Sequence, residues 1–168
     1  MPNNFQLNAG LILKDIYRLV LLVTSDADFL KIVDDKADPL WHLRDLFLED
    51  ELVHTLVSTA VSNRIQLDHM SDISGDGGPR DDTTPNLNCG ELQKSFPENE
   101  VTEDLTFREA CNKIIHAVHI VVETGGDPAY YPIHPEITLR GTHGVSWQAR
   151  LNLIEYARAS VLNFRRLA

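Results

Sequence analysis

Apolar residues recur along the first third of the chain at the 3.6-residue period of an α-helix. Leu11, Ile12, Ile16, Leu19, Val20 and Val23 form one stripe, Asn8 stands where a capping side chain belongs, and Phe29, Leu30 and Val33 carry the pattern on. One or two helices are expected there. Asp38-Pro39 marks a second start, a capping residue followed by Pro at the first helical position, where its missing N–H costs nothing. That helix is expected from Pro39 to about Leu48. From Glu51 onward, Leu52, Val53, Leu56, Val57, Ala60, Val61 and Ile65 trace the strongest amphipathic stripe, which predicts a helix at the centre of the core.

The pattern then stops. Residues 71–100 mix Gly75, Gly77, Gly78, Pro79, Pro85, Gly90 and Pro97 with Asp, Ser, Thr and Asn, and read as one long acidic loop. Thr106-Phe107-Arg108-Glu109 fits a capping box, and the helix it opens places Phe107, Ala110, Cys111, Ile114 and Val118 inside. Glu109, Asn112, Lys113 and His116 then share the other side. His119-Ile120-Val121-Val122 suits a strand that Gly125-Gly126 ends. Alternation from Glu136 to Arg150, broken by a turn at Gly141 to Gly144, predicts a hairpin with Trp147 inward and Arg140 and Arg150 outward. Leu153 to Phe164 closes the chain as an amphipathic helix. The whole, residues 1–168, is expected to be a single α+β domain. It would hold a mainly helical bundle of three or four N-terminal helices, a small antiparallel sheet of about three strands, and a C-terminal helix.

Charge divides this architecture. The 168 residues carry a formal charge of −10, but residues 1–100 hold 18 acidic and 8 basic side chains, whereas residues 101–168 hold 7 of each. A global preference for nucleic acid or an anionic membrane is disfavoured, while a local basic site in the second half is not. The longest apolar run, Leu19 to Val23, is far too short to span a bilayer, and the first residues lack a basic leader-like region. A cytoplasmic protein is expected. Cys89 and Cys111 offer no Cys-x-x-Cys spacing, and Cys111, on the apolar stripe, reads as core. No cofactor or metal is expected: His116 and His119 diverge if a strand begins after Ala117, and Asp72, Asp76, Asp81 and Asp82 lack the ligand spacing of a calcium loop.

One segment carries candidate chemistry. Asn112-Lys113-Ile114-Ile115-His116, one turn into the capped helix, resembles the signature region of HEPN domains, a helical-bundle family of bacterial toxin and phage-defence systems. The resemblance implies a homodimeric, metal-independent endoribonuclease, with His116 moving a proton at the ribose 2′-hydroxyl and Asn112 orienting. An imidazole titrates near neutrality and a cation beside it steadies a phosphate, as that chemistry requires. Where the family has Arg, this chain has Cys111, so Lys113 or Arg108 is the candidate phosphate contact. Arg64 to His69 also spells Arg-x4-His, but Arg64 reads as a helix-end cation. His116 has an equally ordinary reading as a polar residue at a helix C-terminus. Two functions therefore stand at this point. One is a HEPN-like, RNA-directed domain; the other is a non-catalytic helical module that binds a protein partner through its acidic N-terminal half.

Overall fold

The computed structural model describes residues 7–33, 35–73, 84–98, 101–127 and 131–165. Four helices and a five-stranded antiparallel sheet make an α+β fold, with the expected C-terminal helix in place. The first stripe forms one continuous helix, α1 (Ala9–Leu30), and Asn8 Oδ1 caps it by accepting from Leu11 N at 3.1 Å. Its buried residues Ala9, Ile12, Ile16, Leu19, Val23 and Asp26 step by three and four, the period of a seam packed against a neighbour.

Asp38 Oδ1 accepts from Leu40 N at 2.8 Å, as a cap should. The helix it opens does not stop near Leu48: α2 runs from Pro39 to Ile73 and absorbs the helix expected from Glu51. Glu49 and Asp50 between the two stripes are tolerated in a helix interior, so nothing breaks it. The N-terminal half thus holds two described helices, not three or four.

The expected loop at 71–100 is also corrected. A short 3₁₀ turn, Thr84–Asn86, leads into β1 (Asn88–Lys94), while residues 74–83 and 99–100 lie outside the described residues. Strand β2 (Thr102–Thr106) follows, then α3 (Phe107–Ile115), β3 (His119–Thr124), β4 (Ile133–His143), β5 (Val145–Asn152) and α4 (Leu153–Phe164). The order across the sheet is β2-β1-β5-β4-β3, which gives five strands instead of about three. Gly90 explains why β1 shows no strand pattern. It sits at φ 150° beside a bulge, and a Cβ there would lie 1.9 Å from the Arg150 carbonyl oxygen, so the strand needs the residue that most weakens a strand pattern.

Register aligns the core in rows. Leu92, Ala149, Leu139 and Ile120 face one another across β1, β5, β4 and β3, and the next inward row holds Gly90, Leu151, Ile137 and Val122. Between them runs an outward row of Asp104, Glu91, Arg150, Thr138 and Val121. Helices α3 and α4 pack on the inward face, α2 packs on both, and α1 packs on α2 and α4 and touches β4. Each fully buried Leu or Ile of these rows contributes roughly 1.5–3 kcal/mol. Val118, expected inside, is exposed because α3 ends at Ile115.

The α2–α4 seam carries polar groups, and all are satisfied. Asn63 Nδ2 donates to Tyr156 Oη (3.2 Å) and to Ser160 Oγ (2.9 Å), while Asn163 Nδ2 donates to Asn63 Oδ1 (3.0 Å). Thr59 Oγ1 donates to the Leu56 carbonyl, which leaves the Tyr156 hydroxyl to donate to Thr59 at 3.3 Å. A fully paired network fixes the relative position of two helices where apolar packing alone would let them slide.

Candidate functional site

The capping geometry of α3 is half as expected. Thr106 Oγ1 accepts from Glu109 N at 3.4 Å, but the Glu109 carboxylate turns along the helix instead of back to the Thr106 amide. It accepts from Asn112 Nδ2 at 3.3 Å and pairs with Lys113 Nζ at 3.2 Å. Burial pushes the Glu109 pKa up, yet the bonds from Asn112 and Lys113 outweigh it and hold the carboxyl below its usual range. Three of the four polar residues read as one face are therefore joined, with Glu109 as their hub.

Lys113 has a second attachment. Its Nζ lies 4.5 Å from the centre of the Trp147 ring, and its side chain is only 14% exposed. Trp147 is buried as expected and packs against Gly141, where a Cβ would meet the ring at 2.4 Å and the His116 carbonyl oxygen at 2.9 Å. Gly141 is thus a strand residue of β4, not part of the turn. His116 is the C-cap of α3, exposed, with its backbone N–H donating to the Asn112 carbonyl at 3.0 Å.

Arg108 leaves this group. Its guanidinium reaches α2, where Nη1 donates to Asp68 Oδ1 at 2.8 Å and Nη2 to the Leu67 carbonyl at 3.2 Å. Arg64 meets the same Asp68 at 3.1 Å, within its own helix. So Asn112, Lys113 and His116 are brought to one end of α3, while Arg108 ties α3 to α2. Cys111 is fully buried, and burial pushes its thiol up to about 12, as it does that of Cys89. Neither sulfur is a nucleophile at neutral pH. Arg150 pairs with Glu91 and Glu136 and Arg158 with Glu155, whereas Arg140 keeps its charge: it donates to the neutral Gln148 amide and lies 5.5 Å from the centre of the Phe96 ring. Arg166 lies outside the described residues.

A different feature stands out at the N-terminal half. Between the end of α1 and the start of α2 runs an open groove of about 380 Å³, walled by Leu22, Ser25 and Phe29 on one side and by Leu43, Phe47, Leu48 and Glu51 on the other. Asp26 and Arg44 also line it as a buried ion pair, Nε to Oδ1 2.6 Å apart. Leu43 and Phe47 are 51% and 60% exposed, and Leu40 and Leu46 on the same turns are exposed too. Arg18 and Glu51 pair across the two helices at 2.6 Å. The sequence signal was present: apolar residues surround the first turns of α2 on more sides than one core can cover.

No helix among the described residues is long and apolar enough to cross a membrane, and none of them form a group of three or more His, Cys, Asp or Glu able to hold a metal ion. Compared with protein-family models, with curated proteins and with solved structures, the chain matches none.

Proposed function

We propose that this domain is a non-catalytic protein-interaction module whose partner docks in the groove between α1 and α2. The observation that carries the reading is the exposure of Leu43 and Phe47 beside an open apolar groove in the acidic half of the chain. Scattered apolar side chains on a surface need no explanation, but large ones gathered along a groove mark a surface that is covered in use. Burying one such side chain contributes roughly 1.5–3 kcal/mol, so two or three anchors suffice for a specific complex.

The HEPN-like ribonuclease is the second reading, favoured by an exposed His116 one turn beyond Asn112 and beside Lys113. It asks Lys113 to serve a phosphate while that ammonium is held by Glu109 and stacked on Trp147. The interaction reading asks nothing to be undone.

Selection of displayed random peptides on the purified protein tests the two together. Ligands that bind wild type and His116→Ala alike, and lose about tenfold or more on Phe47→Asp, support the groove. A set of ligands indifferent to Phe47, or RNA cleavage in EDTA that His116→Ala abolishes, would sink it.

A further inference from the structure

Resting on the groove reading, we infer that the occupant is a basic amphipathic α-helix of a partner protein, seated beside α1 and α2 as a third helix. Both walls are helices whose backbone N–H and C=O groups are already spent on their own turns. They offer nothing for an extended segment to pair with, so an incoming strand would bury its backbone polar groups unsatisfied. A helix brings its backbone already satisfied. Leu22 and Phe29 on α1, and Leu43, Phe47 and Glu51 on α2, recur at intervals of four, seven and eight. Each wall is therefore two turns long, about 10–12 Å at 1.5 Å per residue, and a partner helix of about three turns with apolar residues at matching spacing fills it.

Charge selects among helices. Residues 9–51, which hold both walls, carry 10 acidic and 5 basic side chains. Among the described residues, Asp15 on α1 and Asp50 on α2, each seven positions from a wall residue (Leu22 and Leu43), form no ion pair, whereas the basic Arg18, Lys31, Lys36 and Arg44 are each engaged by a carboxylate and Lys14 alone is not. A second copy of this chain would bring the same net −5 against itself. A helix flanked by Lys and Arg brings the opposite sign, which speeds encounter and rejects acidic competitors.

The test is fluorescence anisotropy with two synthetic peptides of about 14 residues, both with Leu at helical spacing, one flanked by Lys and Arg and the other by Glu. The basic peptide is expected to bind about tenfold or more tighter than the acidic one and to weaken as salt rises from about 0.05 to about 0.3 M. Phe47→Asp, at an exposed position and checked for an unchanged melting temperature, is expected to remove that binding. Equal binding of both peptides, lost in Phe47→Asp, would overturn the basic occupant and leave the groove reading standing. So would failure of both peptides where the displayed library yields only non-helical ligands that need Phe47. Failure of both peptides with no ligand of any kind that needs Phe47 would overturn the groove reading itself. A dimer in sedimentation that Phe47→Asp dissolves would make a second copy the occupant and overturn the inference.

Discussion

Arg44 holds Asp26 with two hydrogen bonds, Nε to Oδ1 at 2.6 Å and Nη2 to Oδ2 at 2.7 Å, and both side chains are buried. Asp26 also accepts from the backbone N–H of Ile133 at 2.8 Å, so one carboxylate joins α1, α2 and the first residue of β4. Removing either partner leaves a charge in the interior with nothing to balance it. Arg44→Ala or Asp26→Ala is expected to cost about 3–5 kcal/mol in urea unfolding, and a double replacement by Leu and Met to cost much less. Single variants within 1 kcal/mol of wild type would mean the pair is solvated in practice.

Gly141 and Trp147 make a second closely specified contact. A methyl at residue 141 would lie 2.4 Å from the Trp147 ring and 2.9 Å from the His116 carbonyl oxygen, so the ring or the backbone must shift to admit it. Gly141→Ala is expected to lose about 1–3 kcal/mol and to shift the Trp147 fluorescence. Unchanged emission and stability would show that the ring repacks freely.

The buried thiols predict an alkaline limb of stability. Cys89 and Cys111 are pushed up to about 12 by burial, each also feeling a neighbouring acid, Glu155 for Cys89 and the other thiol for Cys111. A raised folded-state value means stability is fully present below the unfolded thiol's value, about 8.5, and is lost as pH rises from there through the folded value. The free energy of unfolding in denaturant is therefore expected to fall above about pH 8.5, and Cys111→Ala to flatten that decline. Iodoacetamide should label neither thiol until the protein unfolds. Rapid labelling of the folded protein at pH 8 would contradict the buried geometry.

Much of this fold was legible in the sequence. The caps at Asn8, Asp38 and Thr106, the α1 seam, the β4–β5 hairpin and the inward Trp147 follow from period and local hydrogen bonding, which act over a few residues. What stayed hidden depends on contacts distant in the chain. Strand β1 is held by β2 and β5 although Gly90 and the polar Glu91 and Gln93 give it no alternation to read. Asp26 falls on the apolar stripe of α1 and makes sense only with Arg44, 18 residues on. For the same reason Arg108 stood as a candidate phosphate contact, while its partner Asp68 lies 40 residues back.

The α3 residues supply a prediction of their own. With Lys113 held by Glu109 and Trp147, and Arg108 by Asp68, purified protein is expected to leave RNA intact in EDTA and to show no RNA affinity at physiological salt. His116→Ala should change neither result. Cleavage that disappears in His116→Ala would favour the ribonuclease reading over the one proposed.

The most direct measurement is a ¹⁵N NMR titration of the protein with the basic amphipathic peptide. Saturable shifts are expected, concentrated on Leu22, Ser25, Phe29, Leu43 and Phe47, with α3 and His116 silent and all shifts lost in Phe47→Asp. Shifts centred on Asn112, Lys113 and His116, or none along the α1–α2 groove at saturating peptide, would contradict it.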